Sequence, residues 1–200
     1  MTVVIVLLVV IVVLLIVAGI VLWLRSRRPE QPEQPTVTDP FADTETDVLT
    51  GDPRRLAAGD TVEIRGTTWT VRGTLRFTEG DSQWSEHLLD DAQGLKVWLS
   101  VEEDPDLLLA LWKEVRGADL TPGPRSVEHD GGRFRSDESG TAQYRSEGTT
   151  GLAPAGTMSY HDYVGDGDAL LGFEKYGNGS WELARGKQLA RHDVRVFTAR

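Results

Sequence analysis

Residues 69–88 read WTVRGTLRFTEGDSQWSEHL, and every second position in them bears on how the chain folds. Trp69, Val71, Gly73, Leu75 and Phe77 recur at period two, Gly80-Asp81 interrupts, and Trp84, Glu86 and Leu88 resume the alternation. A strand sends successive side chains to opposite faces, so this pattern predicts two antiparallel strands joined by a tight turn. Working outward, 61–64 alternates into a turn at Gly66, and 95–101 follows a break at 90–94. Together these runs predict an antiparallel meander.

The same grammar returns later. Residues 127–129, the turn Asp130-Gly131-Gly132 and Phe134 form a hairpin signal, because Asp-Gly readily takes the two positive φ angles of a type I′ turn. Ser139-Gly140 reads as the opening of another turn. Residues 169–175, the turn Gly177-Asn178-Gly179 and residues 181–183 make a third hairpin, and 194–197 a last strand. Trp84 and Trp181 each follow a glycine turn, which suggests two similar halves. One segment stays open between helix and strand. Asp104 and Pro105 suit a helix start, with Leu107, Leu108, Leu111 and Val115 on one face, yet Leu107, Leu109 and Leu111 also alternate across 106–115.

The N-terminal part is of another kind. From Val3 to Leu24 there is no charged residue, and 22 residues at about 1.5 Å each span roughly 33 Å, the thickness of a bilayer core. In lipid an unpaired amide costs several kcal/mol, so a helix is expected in spite of the β-branched residues. A cleaved signal would need a basic start, a short apolar core and a small-residue cleavage site, none of which is present. Arg25, Arg27 and Arg28 follow directly, which places the N-terminus outside and the rest in the cytoplasm, beneath the plasma membrane. Residues 1–28 are therefore read as a single transmembrane anchor, with the lipid bilayer as partner of residues 3–24. Residues 29–52 hold Pro29, Pro32, Pro35 and Pro40, seven acidic residues and no basic one, the composition of a disordered, self-repelling linker. Residues 53–200 form the expected β-rich domain, a meander or barrel-like body.

The chain is acidic, with 21 Lys and Arg against 31 Asp and Glu, and contains no cysteine. Disulfides, thiolate metal sites and a cysteine nucleophile are excluded, and nucleic acid is a poor electrostatic match. Asp162, Asp166 and Asp168 do not follow the EF-hand pattern, and there is no phosphate loop, no dinucleotide fingerprint, no zinc-protease motif and no nucleophile elbow. No metal, cofactor or catalytic residue is assigned, and the chain is read as a non-enzyme.

Gly59-Asp60-Thr61-Val62, Trp69-Thr70-Val71-Arg72-Gly73, Trp84-Ser85-Glu86-His87-Leu88-Leu89, Trp98-Leu99-Ser100-Val101-Glu102 and Tyr160-His161-Asp162-Tyr163 together resemble the bacterial DUF4178 family. The resemblance covers nearly everything after Leu56. It implies a β-rich domain, often tied to a membrane segment, and tips 107–115 towards a strand. It carries over no function and no catalytic residue.

Candidate binding residues are Trp84, Glu86, His87, Trp98, Tyr160, His161 and Asp162. On a strand Trp84 and Glu86 share a face while His87 points away, so Glu86 and His87 cannot form a direct dyad. His129, His161 and His192 each precede an aspartate, but neighbours in extended chain also face apart. The expected function is a binding or assembly module presented to a membrane-associated protein partner. The alternative is a small-ligand sensor or enzyme using Glu86, His87 or His161 in a cleft between two meanders.

Overall fold

A computed structural model of the chain describes residues 51–198; the expected span at 3–24 and almost all of the expected linker lie outside the described residues. Among the described residues there is no α-helix, only strands and two short 3-10 turns, and no helix long and apolar enough to cross a membrane.

The strands are β1 (Thr61–Ile64), β2 (Thr67–Glu79), β3 (Ser82–Asp90), β4 (Lys96–Asp104), β5 (Asp106–Val115), β6 (Ser126–His129), β7 (Gly132–Gly148), β8 (Ala155–Val164), β9 (Ala169–Tyr176), β10 (Glu182–Leu189) and β11 (Val194–Phe197). All pairings are antiparallel. Eight of the strands close on themselves in the order β2-β3-β4-β5-β10-β9-β8-β7 and back to β2, so the ring joins two four-stranded meanders. β1 and β11 extend β2, and β6 extends β7.

Closure depends on β2 serving two neighbours along one edge. Residues 67–70 pair with β1 and residues 73–78 pair with β7, and the register shift between Val71 and Gly73 marks the change. A bulge of this kind bends a strand and increases its twist. Gly73 is needed there because a Cβ would stand 2.7 Å from the backbone carbonyl of Thr149, whose N–H bonds to the Arg72 carbonyl at 2.8 Å. Turn chemistry sets the hairpins. Asp130 and Gly131 take φ of 48° and 74°, and Arg65 and Gly66 take 49° and 82°, the paired positive angles of type I′ turns.

Residues directly opposite on neighbouring strands share a face. The pairs Leu75↔Glu86, Phe77↔Trp84 and Trp98↔Trp112 therefore point into the barrel together. Leu75, Phe77, Ala142, Tyr144, Met158 and Tyr160 form the inner core. The opposite faces carry two further clusters. One surrounds Leu89, Leu99 and Leu109 with Val62, Trp69 and Val194; the other surrounds Phe134, Tyr163 and Phe173. Ser85 to Leu89 are accordingly buried without interruption.

One open alternative is decided and two expectations change. Residues 106–115 are strand β5, paired along both edges, and Asp104-Pro105-Asp106 is the turn of a hairpin and not a helix start. Propensity lost because a helix would leave the facing edges of β4 and β10 unpaired. Gly140 opens no turn; it lies inside β7, where a Cβ would collide with the Glu79 carboxylate. Trp84 and Trp181 are not equivalent, since one lies in the first hairpin of its meander and lines the interior while the other precedes β10 and is exposed.

If closure is the organising constraint, Gly73→Ala is expected to destabilise the full chain by about 1–3 kcal/mol through overpacking at the β2–β7 seam, read as a lowered urea midpoint.

Candidate functional site

The inner face of the barrel encloses a cavity of about 270 Å³, near the lower end of the roughly 300–1,000 Å³ common for ligand pockets. Eight strands leave an interior that side chains can fill or that holds one small ligand. Here small residues keep part of it open. Gly172 and Gly186 lie against the indole of Trp112, and a Cβ on Gly186 would overlap that ring.

Period-two alternation on each strand determines what faces inward. β3 contributes Trp84 and Glu86, β4 Trp98, Ser100 and Glu102, and β5 Trp112. β8 adds Met158, Tyr160 and Asp162, and β9 adds Glu174. Nine carboxylates in all line the cavity, among them Glu79 and Glu138, and no Lys, Arg or His does among its described lining residues. Aromatic contacts tie the walls together. Trp84 stacks on Phe77 with ring centres 5.0 Å apart and meets Tyr160 edge-on at 5.8 Å; Tyr144 meets Tyr176 edge-on at 5.5 Å.

Hydrogen-bond donors are few. The Tyr160 hydroxyl donates to Glu79 at 2.7 Å and lies 3.3 Å from Glu138; the Tyr176 hydroxyl donates to Glu174 at 2.8 Å. The Trp112 indole N–H donates to Ser100 at 2.9 Å. Since a carboxylate offers about four acceptor sites, these donors leave most of them unmatched.

Electrostatics follow from crowding like charges out of water. Burial holds the Glu86 carboxyl well above the usual range, and Glu174, which reaches it by hydrogen bond from the facing strand, adds to the effect. Burial likewise raises Glu174, although the Tyr176 hydroxyl and Glu86 partly offset it. Burial, followed by the charges of Glu174 and Glu138, pushes Asp162 up to about 8. The Tyr160 and Tyr176 hydroxyls are raised, chiefly by burial, and stay protonated donors. Near neutrality the inner carboxyls therefore share protons instead of all ionising.

Five of the seven candidate residues converge here: Trp84, Glu86, Trp98, Tyr160 and Asp162. His87 does not. It faces the outer core, fully buried between Thr74 at 3.0 Å and Ser85 at 3.1 Å, and burial with nearby Arg76 lowers it to about 3. His161 also points away, bonding Ser136 at 2.8 Å and stacking on Tyr163 at 4.6 Å. Of the other His-Asp neighbours, His129 and Asp130 do approach, Nε2 lying 3.5 Å from the carboxylate that Arg185 also bonds at 3.1 Å, because Asp130 sits in a turn and not in extended chain. Both lie outside this cavity, and Asp193 is bonded by Arg65 at 2.9 Å. Asp168 lies outside the cavity against Lys187 at 3.2 Å, and among the described residues no group of three His, Asp or Glu is arranged to hold a metal ion. Sequence reasoning missed Glu79, Glu102, Glu138 and Glu174; the available signal was Gly172, Glu174 and Tyr176 alternating with Leu171 and Phe173.

The raised groups predict a pH signature. Asp162 binds its proton more tightly folded than unfolded, so its contribution to stability falls as pH rises from about 4 to 8. His87 works the other way, its contribution being lost as pH falls from 6.5 towards 3. Asp162→Asn is expected to stabilise the chain by roughly 1–2 kcal/mol more at pH 8 than at pH 4, measured as urea midpoints at both pH values.

Comparison with known proteins supplies relatives but no activity. No solved structure matches the chain significantly. Uncharacterised proteins of Mycobacterium bovis and Mycobacterium tuberculosis are 38% identical over 188 residues, covering 90% of this chain and 89% of theirs. Residues 57–191 match the family described as a domain of unknown function, DUF4178. That match takes in the whole barrel, and the chain belongs to the DUF4178 family.

Proposed function

We propose that this chain is a binding module held at the inner face of the plasma membrane, and that its barrel takes a small ligand in the interior. One observation carries the reading. Trp84, Glu86, Trp98, Tyr160 and Asp162, on three strands of two meanders, line one cavity bounded by small residues. Burying Glu86 and drawing Glu174 and Asp162 out of water beside it lowers stability, and such a cost is retained where it serves a site. Of the three residues that the enzymatic alternative invoked, Glu86 lines the cavity while His87 and His161 lie outside it, so no imidazole base is at hand among the described lining residues and binding is favoured over turnover.

The uncharged stretch from Val3 to Leu24 and the arginines behind it support the tether. Similarity to the mycobacterial proteins covers 90% of the chain, more than the barrel alone, and so extends into this N-terminal part. A module tethered in this way is placed to pass its occupied state to a membrane-associated protein partner.

Two measurements test the proposal. Full-length chain should float with membranes and leave them only in detergent, and protease applied to intact cells should spare the domain; soluble chain, or digestion without lysis, overturns the tether. For the cavity, the full chain in detergent is titrated with benzylammonium, benzyl alcohol and benzoate while tryptophan fluorescence is followed. Saturable change with at least one of them, lost in Ala184→Leu, is expected; no response to any overturns the interior site.

A further inference from the structure

The chemistry of the cavity wall narrows the ligand, given the reading above that the interior is the site. We propose that the ligand is a small organic ammonium ion, its N–H groups seated on Glu86, Glu174 and Asp162 and its carbon skeleton against Trp84, Trp98 and Trp112.

Three observations converge on this class. Glu86 is more than nine-tenths buried, lines the cavity, and meets only another carboxylic acid and an indole N–H, with no cation to balance it. Burial without a counter-charge keeps such a carboxyl from ionising, and a ligand that brings the missing positive charge lets it give up its proton and form a charge-assisted hydrogen bond on binding. The wall is also rich in acceptors and poor in donors, because Tyr160, Tyr176 and Trp112 already spend their donors on Glu79, Glu174 and Ser100. A complementary ligand must therefore be a multiple donor, as an ammonium group is and an anion is not.

The third observation separates an organic cation from a metal ion. Three indoles line the same cavity, and among the described residues no group of carboxylates has metal-ligand geometry. Indole faces attract an ammonium and bury its alkyl or aryl body, whereas a hydrated metal ion gains little from them. The small volume restricts the body to a compact one.

The experiment compares probes of one shape and different charge on the full chain in detergent. Benzylammonium is expected to bind at least about tenfold tighter than benzyl alcohol, benzoate not at all, and benzyltrimethylammonium, which has no N–H, more weakly than benzylammonium. Glu86→Gln and Asp162→Asn should each weaken benzylammonium at least about tenfold. The same variants should unfold at an equal or higher urea concentration, which distinguishes loss of recognition from loss of fold. Benzyl alcohol binding as tightly as benzylammonium overturns the ammonium assignment while leaving an interior ligand site in place. Equal binding of the quaternary probe overturns the N–H seating. Silence from every probe overturns the site itself.

Discussion

Closure of β2 onto β7 is the constraint from which the rest follows. Residues 73–78 of one strand meet residues 143–148 of another, and only then does a curved meander acquire an inside. Without that seam the inner faces of both meanders would open to solvent, and the carboxyls on them would be ordinary ionised surface groups. With it, Glu86, Glu174 and Asp162 are drawn out of water and towards one another, and their proton affinities rise. Closure also pairs the edges of β2 and β7 that would otherwise invite edge-to-edge pairing, and leaves only the short β6 and β11 at the margins of the sheet.

The barrel is unusual in where it places its apolar mass. Two of its clusters lie on outer faces, under β1 and β11 on one side and under β6 and the segment before it on the other, while much of the inner face is acidic. Stability comes from burying both faces of the central strands, so the interior is released from serving as the main core. Aromatic contacts such as Phe77 on Trp84 and Tyr144 on Tyr176 keep part of the lumen ordered. The remainder carries polar groups whose mutual repulsion opposes folding, the kind of local inconsistency that natural proteins concentrate at functional sites.

Much of the fold was legible because strand alternation and turn residues are local. The turns at Gly66, Asp130-Gly131 and Gly177 were readable from chain chemistry, and so was the shared face of Trp84 and Glu86 opposite His87. What was misread or left open also has a physical reason. Ser139-Gly140 looks like a turn, but Gly140 answers to the Glu79 carboxylate, sixty residues earlier in the chain. Residues 106–115 satisfy helix and strand patterns alike, and the unpaired edges of β4 and β10 decided between them.

The sequence by itself determined that this is a two-part chain, an uncharged N-terminal stretch followed by an acidic β-rich body, because hydropathy, turn propensity and period-two alternation act over a few residues at a time. It also determined which side chains share a face within an unbroken stretch of strand, such as Trp84 and Glu86, but not across the bulge in β2, where Trp69 and Val71 join an outer cluster and Leu75 and Phe77 the inner one. Only tertiary structure decided that Glu86 faces Glu174 and that Trp84, Tyr160 and Asp162 line one cavity. Those meetings depend on barrel closure between segments about seventy residues apart, and nothing local records which strand will complete a ring.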